Sequence, residues 1–66
     1  MKITVNGEPH DLPEGGTLEA LLRELGLPHD AQATAVNGDF VPRASRAAQA
    51  LSEGDAVTCF QPIVGG

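Results

Sequence analysis

Residues 17–26 have the sequence TLEALLRELG, which contains the clearest secondary-structure signal in the chain. The four leucines at positions 18, 21, 22 and 25 recur at i, i+3, i+4 and i+7, which places them on one face of a helix. Thr17 is a favourable N-cap residue, and Gly26 suits the left-handed position that commonly ends a helix. The sequence therefore predicts one amphipathic helix over residues 18–25.

Short strands are predicted on both sides of this helix. Residues 1–5 alternate apolar and polar side chains, Asn6-Gly7 is a strong hairpin signal, and residues 8–12 form the returning strand. Pro9 either places that returning strand at an edge of the sheet or makes it irregular. After the helix, the sequence predicts a strand at residues 33–37, a turn at 38–39 and a second short strand at 40–41. A helical turn at 44–51, a polar turn at 52–55 and a last strand at 56–61 follow.

The order of these elements predicts the fold class. One helix packed across a mixed sheet is a two-layer α+β arrangement. A last strand beside the first would run parallel to it, with the helix on the long connection between them. We therefore predict a ubiquitin-like β-grasp fold, with a mixed sheet of roughly four to five strands and one main helix. Residues 1–62 form the predicted domain, and residues 63–66 form a flexible C-terminal tail.

Composition excludes several classes of function. The chain has 66 residues, nine acidic and four basic side chains, and a formal charge of −5. The clustered Lys and Arg that neutralise phosphates are missing, so nucleic acid is not an expected partner. No apolar run approaches the roughly 20 residues of a membrane span, and a single thiol fits a reducing compartment, so we expect a soluble cytoplasmic protein. The acidic surface either provides solubility or docks a basic partner.

The side chains offer little catalytic or metal chemistry. A domain of this size has a thin core with little room for a deep pocket. His10 and His29 have no second ligand at metal-binding spacing, and neither Ser45 nor Ser52 belongs to a nucleophile motif. Cys59 is expected to be a small core residue rather than a reactive thiol. We therefore predict no catalytic residue, no bound cofactor and no metal site, and no enzyme acting alone.

The C-terminal Gly65-Gly66 pair is the predicted working end of the chain. Terminal glycines are ordinarily frayed. Here the apolar residues Ile63 and Val64 precede them, and a backbone without Cβ atoms can pass through a narrow constriction in another protein. The Gly66 carboxylate becomes a good electrophile when it is joined to AMP, and a sulfur nucleophile can then displace AMP to leave a thiocarboxylate. The pattern indicates a tail that a partner enzyme activates.

Several segments carry a resemblance to a known family: Asn6-Gly7, the leucine-rich helix after Gly16-Thr17, Ala35-Val36-Asn37-Gly38, Val41-Pro42-Arg43, Glu53-Gly54-Asp55 and the closing FQPIVGG of residues 60–66. On these segments the sequence resembles the ThiS family of sulfur carriers over nearly its whole length. The resemblance implies that an ATP-using, ThiF-type adenylyltransferase activates Gly66 and that a cysteine desulfurase or similar donor supplies the sulfur. It also implies that the thiocarboxylate delivers this sulfur to the thiazole synthase ThiG in thiamine biosynthesis.

The same resemblance implies a docking face for the partner. Gly65 would provide the slim approach to the partner's active site, with Phe60, Ile63 and Val64 near the partner and Val41 as a further candidate. Two alternatives remain open. One is a MoaD-like carrier that serves molybdopterin synthesis or tRNA thiolation, since MoaD-like chains also end in Gly-Gly. The other is a ubiquitin-like protein modifier or a plain binding module.

Overall fold

The computed structural model describes residues 1–26 and 33–60. Within these two ranges the chain forms a five-stranded sheet, one α-helix and one 3₁₀ helix. In chain order the elements are β1 (Lys2–Val5), β2 (Glu8–Asp11), α1 (Leu18–Leu25), β3 (Ala33–Val36), β4 (Asp39–Val41), the 3₁₀ helix (Arg43–Ala48) and β5 (Ala56–Phe60).

The helix α1 occupies the residues that the leucine spacing predicts. The extended Thr17 caps its start, because the Thr17 hydroxyl oxygen accepts a hydrogen bond from the Ala20 N–H at 3.2 Å. Gly26 ends it at φ 72°, in the left-handed region where a residue without Cβ is favoured. Of the four leucines, three are buried and Leu25 is partly buried against them. The capping and periodicity arguments are thus confirmed.

The sheet has the strand order β2-β1-β5-β3-β4. The first strand pairs antiparallel with β2 and parallel with β5, and β5 pairs antiparallel with β3. The helix therefore lies on the connection between two parallel neighbours, as the β-grasp prediction requires. The strand that contains Pro9 lies at the sheet edge, where a missing N–H is tolerated.

Two Asn-Gly turns close the two hairpins of the sheet. Asn6 and Gly7 have φ values of 51° and 85°, and Asn37 and Gly38 have values of 52° and 85°. Positive φ at both central residues is the signature of the type I′ turn. The predicted turn at residues 38–39 was wrong by one residue, because Asn37 belongs to the turn and Asp39 already begins β4.

The segment between β4 and β5 is close to the prediction. The expected helical turn at residues 44–51 is a 3₁₀ helix over Arg43–Ala48, and Leu51 is buried beyond its end. The polar turn before β5 is present. The described part of β5 ends at Phe60, so the proposed domain boundary at residue 62 and the tail lie outside the described residues.

The core is one apolar cluster shared by α1 and one face of the sheet. Its members are Ile3, Val5, Leu12, Leu18, Leu21, Leu22, Val36, Val41, Leu51, Val57 and Cys59. Among the described residues, two polar side chains are buried with it, Thr34 and Arg46. Arg46 Nε donates to Thr34 Oγ1 at 3.1 Å, and the Thr34 hydroxyl donates to the Val41 carbonyl at 2.9 Å. The two buried polar side chains thus hydrogen-bond to each other, and Thr34 also hydrogen-bonds to the β4 backbone.

Candidate functional site

The sheet face opposite the helix carries two exposed phenylalanines. Phe40 is 64% exposed and Phe60 is 44% exposed. Both point away from the core because their strand neighbours Val41 and Cys59 point into it.

Small residues of β3 lie between these two side chains. Ala35 is the strand partner of Phe40, and Ala33 is the strand partner of Phe60. Residues directly opposite each other in a sheet share a face. Phe40, Phe60, Ala33 and Ala35 therefore form one apolar surface, the phenylalanine face. Phe40 and Phe60 lie on the two strands that flank β3. Contiguous exposed apolar patches are typical of surfaces that bind another protein.

The structure places one predicted docking residue in the core and its strand neighbour on the surface. Val41 is only 6% exposed and belongs to the core, so it offers no surface to a partner. The physical reason is strand alternation in β4, which turns Val41 inward and Phe40 outward. The sequence argument missed Phe40. The signal that could have found it is the apolar–apolar pair Phe40-Val41, of which a strand can bury only one member on a single core face.

The end of β5 precedes the C-terminal tail and is held from two sides. Cys59 pairs with Thr34 of β3, and its N–H donates to the Asn6 side-chain oxygen at 2.9 Å. Burial raises the pKa of the Cys59 thiol, and the nearby Arg46 guanidinium opposes this shift. A buried thiol with a raised pKa is a poor nucleophile. The prediction of a core residue is confirmed.

The tail residues that carry the predicted chemistry lie outside the described residues. Their roles therefore stay predictions; the residues concerned are Ile63, Val64, Gly65 and Gly66. His29 also lies outside the described part, and His10 is half-buried on β2. Within residues 1–26 and 33–60, no three His, Cys, Asp or Glu side chains are grouped as metal ligands. No helix in the same ranges is long and apolar enough to cross a membrane.

The fold and the sequence together define the class of protein. A mixed five-stranded sheet with a parallel central pair and one main helix is the ubiquitin-like β-grasp arrangement, which confirms the predicted fold. The sequence profile of the ThiS family matches residues 3–66, which is nearly the whole chain and includes the C-terminal glycines. The chain belongs to the ThiS family.

Individual relatives agree with this assignment. The chain is 33% identical over 66 residues to the sulfur carrier protein ThiS of Escherichia coli K12, and the match covers all of both proteins. It is 41% identical to a thiazole synthase of Magnetococcus marinus and 38% identical to one of Paramagnetospirillum magneticum. The chain spans only 20% of the length of each of these two synthases.

Solved structures show the same fold. The crystal structure of the thiamine biosynthesis protein ThiS from Geobacter metallireducens superposes with a TM-score of 0.87 at 29% identity, over the full length of both chains. The solution structure of a thiamine biosynthesis protein from the same organism gives a TM-score of 0.77 at 30% identity, over all of this chain and 88% of the other.

Proposed function

We propose that the chain is a sulfur carrier for thiazole formation in thiamine biosynthesis and that Gly66 is its modified residue. The observation that carries this proposal is the match to the ThiS family through residue 66, supported by the whole-length similarity to a sulfur carrier protein. The chain is then a carrier and co-substrate, not a catalyst. A cytoplasmic site of action fits this role, because both ATP and reduced sulfur are needed.

The proposed chemistry takes place at the Gly66 carboxyl group in two steps. The carboxylate oxygen attacks the α-phosphorus of ATP, pyrophosphate leaves, and an acyl adenylate forms. Hydrosulfide, released from the donor's persulfide by a thiol reductant that is oxidised to a disulfide, then attacks the acyl carbon, AMP leaves, and a proton is released as the thiocarboxylate forms. The two steps require no side chain of the carrier, so a partner enzyme must supply the binding sites and the charge stabilisation.

The partners in this proposal are a ThiF-type adenylyltransferase, a cysteine desulfurase or similar donor, and a thiazole synthase. Thiazole synthase is favoured as the acceptor because two thiazole synthases contain a segment similar to this entire chain. We assign the phenylalanine face as the docking surface. It includes Phe60, the last described residue, and the tail begins at Ile63, three positions further along the sequence.

Mass spectrometry tests the proposal directly. The protein is incubated with a ThiF-type adenylyltransferase from its own host, ATP, magnesium, cysteine, a desulfurase and a thiol reductant. The expected product has gained the mass difference between one sulfur and one oxygen atom, located on the C-terminal peptide. Deletion of Gly66 should abolish the gain while the unfolding midpoint is unchanged, because the described core cluster lies within residues 3–59.

The control keeps the partner contacts but alters the surface elsewhere. Glu14→Gln changes an exposed loop residue and should leave the mass gain intact. An unmodified wild-type protein in the complete reaction would contradict the proposal. An isopeptide bond between Gly66 and a lysine would identify a protein modifier instead, and sulfur transfer to molybdopterin synthase in preference to thiazole synthase would identify a MoaD-like carrier.

A further inference from the structure

The side chain of Asn6 extends the hydrogen-bond ladder between β1 and β5 beyond the end of β1. Along this parallel pair, the Thr4 N–H donates to the Asp55 carbonyl at 3.0 Å and the Asn6 N–H donates to the Val57 carbonyl at 2.9 Å. The next N–H of β5 in this alternation is that of Cys59, which a continuing strand would bind with a backbone carbonyl. The Asn6 side-chain carbonyl takes that place, at 2.9 Å from the Cys59 nitrogen.

The backbone of β1 cannot supply this bond because the chain turns at the same residue. Asn6 has a φ of 51° and begins the type I′ turn into β2. Asn is one of the few residues that tolerate this conformation and also carry a carbonyl on a short side chain. One residue therefore both makes the turn and continues the ladder.

This bond lies next to the start of the C-terminal segment. Cys59 is adjacent to Phe60, and the residues that lead to Gly66 begin immediately beyond Phe60. On the β3 side, the pairs Thr34–Cys59 and Ala33–Phe60 hold the end of β5. On the β1 side, the Asn6 side chain binds the Cys59 N–H. With that bond, the end of β5 is held on both edges.

We propose that Asn6 is a positioning residue for the reaction at Gly66. Its side chain holds the end of β5 and so fixes the point and direction from which the tail enters the active site of the partner. This inference rests on the proposed function, because the reaction at Gly66 is the one it serves. A tail that leaves from an ordered strand loses less conformational freedom when the partner binds it.

Asn37 provides a matched control within the same molecule. It occupies the same place in the second Asn-Gly turn, with a φ of 52°, and its side-chain oxygen accepts the Ala56 N–H at 3.0 Å. This bond lies at the start of β5, at the end away from the tail. The Asn37 side chain also donates to Asp55 Oδ1 at 3.0 Å, so its removal deletes one more hydrogen bond than removal of the Asn6 side chain.

The test compares three variants: Asn6→Gly, Asn37→Gly and Asn6→Asp. Glycine keeps the positive φ and removes the side-chain amide, which takes away the acceptor oxygen in both variants and also the donor to Asp55 in Asn37→Gly. Aspartate keeps an acceptor oxygen and tolerates the same backbone conformation. The two measurements are the hydrogen-exchange rate of the Cys59 amide by NMR and kcat/KM for Gly66 adenylation. Adenylation is followed by ATP–pyrophosphate exchange with the ThiF-type adenylyltransferase of the same host.

In Asn6→Gly, we expect Cys59 amide exchange to rise and kcat/KM to fall, each by about 3- to 10-fold, the effect of one lost hydrogen bond. Asn37→Gly should change both by less than about 2-fold, although it removes more bonds. In Asn6→Asp, the Cys59 amide exchange rate and kcat/KM should both stay close to their wild-type values. A merely structural role for Asn6 predicts the opposite order, because Asn37→Gly would then be at least as harmful.

Three results would overturn the inference: equal losses of kcat/KM in the two glycine variants, an unchanged Cys59 exchange rate in Asn6→Gly, or no recovery in Asn6→Asp. Failure of the proposed function has a different signature. In that case the wild-type protein itself is not adenylated, which removes the role for Asn6 in the tail reaction, whatever the amide exchange rates show.

Discussion

The two hairpins of the sheet have the same kind of turn, but they bury different kinds of side chain. Hairpin one is β1–β2 and hairpin two is β3–β4, and both turn on an Asn-Gly pair with nearly identical φ values. In each, the asparagine side chain accepts an N–H of β5. The residue that each buries most completely differs: Ile3, 1% exposed, in hairpin one, and Thr34, fully buried, in hairpin two.

This difference shows that the residues of the turn determine its conformation, whereas the side chains that each hairpin buries depend on the rest of the fold. An Asn-Gly pair specifies a type I′ turn wherever it occurs between two strands. What the strands bury depends on the elements that cover them. Arg46 of the 3₁₀ helix reaches hairpin two, and its guanidinium bonds to the Thr34 hydroxyl. Hairpin one contributes apolar side chains at its two buried β1 positions.

The largest expected effect comes from the apolar centre of hairpin one. Ile3→Ala should lower the free energy of unfolding by about 2–5 kcal/mol, because it leaves a cavity in the core. Ile3→Val, the matched control, should cost about 0.5–1.5 kcal/mol. Urea unfolding followed by circular dichroism measures both. If Ile3→Ala lowers the free energy of unfolding by less than Thr34→Val does, hairpin one does not depend on apolar packing more than hairpin two.

The next effect comes from the polar centre of hairpin two. Thr34→Val keeps the side-chain volume but removes the hydroxyl that accepts from Arg46 and donates to the Val41 carbonyl. We expect a loss of about 1–3 kcal/mol in the free energy of unfolding, the cost of buried polar groups that lose a partner.

Thr34→Ser separates the hydroxyl from the methyl group at the same position. It keeps both hydrogen bonds and should cost about 0.8 kcal/mol, the value of one buried carbon. A valine variant that is as stable as the serine variant would mean that hairpin two, like hairpin one, depends on apolar packing alone. The same urea titration measures both variants.

The sequence predicts the local features of both hairpins and leaves their interiors open. The helix bounds, the Asn6-Gly7 turn and the edge position of Pro9 all follow from short-range rules on caps, turns and missing donors. The burial of Arg46 does not, because arginine is ordinarily exposed and its partner Thr34 is distant in sequence. Val41 is buried although the sequence made it a docking candidate, and Phe40 is exposed in its place, since a three-residue strand is too short to show which face is buried.

The candidate site divides in the same way. The Gly65-Gly66 pair can be recognised in the sequence because its chemistry lies in the main chain and needs no tertiary arrangement. The phenylalanine face cannot, since it depends on which strands become neighbours: Phe40 and Phe60 share one surface only because β3 pairs with both β4 and β5. Asn6 was recognised for its turn, but its bond to Cys59 joins residues from opposite ends of the chain.

The smallest expected effect lies where the two hairpins meet, at Cys59, which bonds to Asn6 of one and pairs with Thr34 of the other. Burial raises the pKa of the Cys59 thiol in the folded state, and Arg46 opposes this only in part. The folded protein therefore favours the protonated thiol, and the stability this provides is fully present below the unfolded pKa of about 8.5 and is lost as pH rises through the folded pKa.

Unfolding free energies of the wild type and Cys59→Ala, measured by urea titration between about pH 7 and pH 10, should therefore converge as the pH rises. Other titrating groups are common to both proteins and cancel in this difference. A difference that stays constant over the range would mean that folding does not change the pKa of the Cys59 thiol. The thiol would then be solvated in the folded protein, at the point where the two hairpins meet.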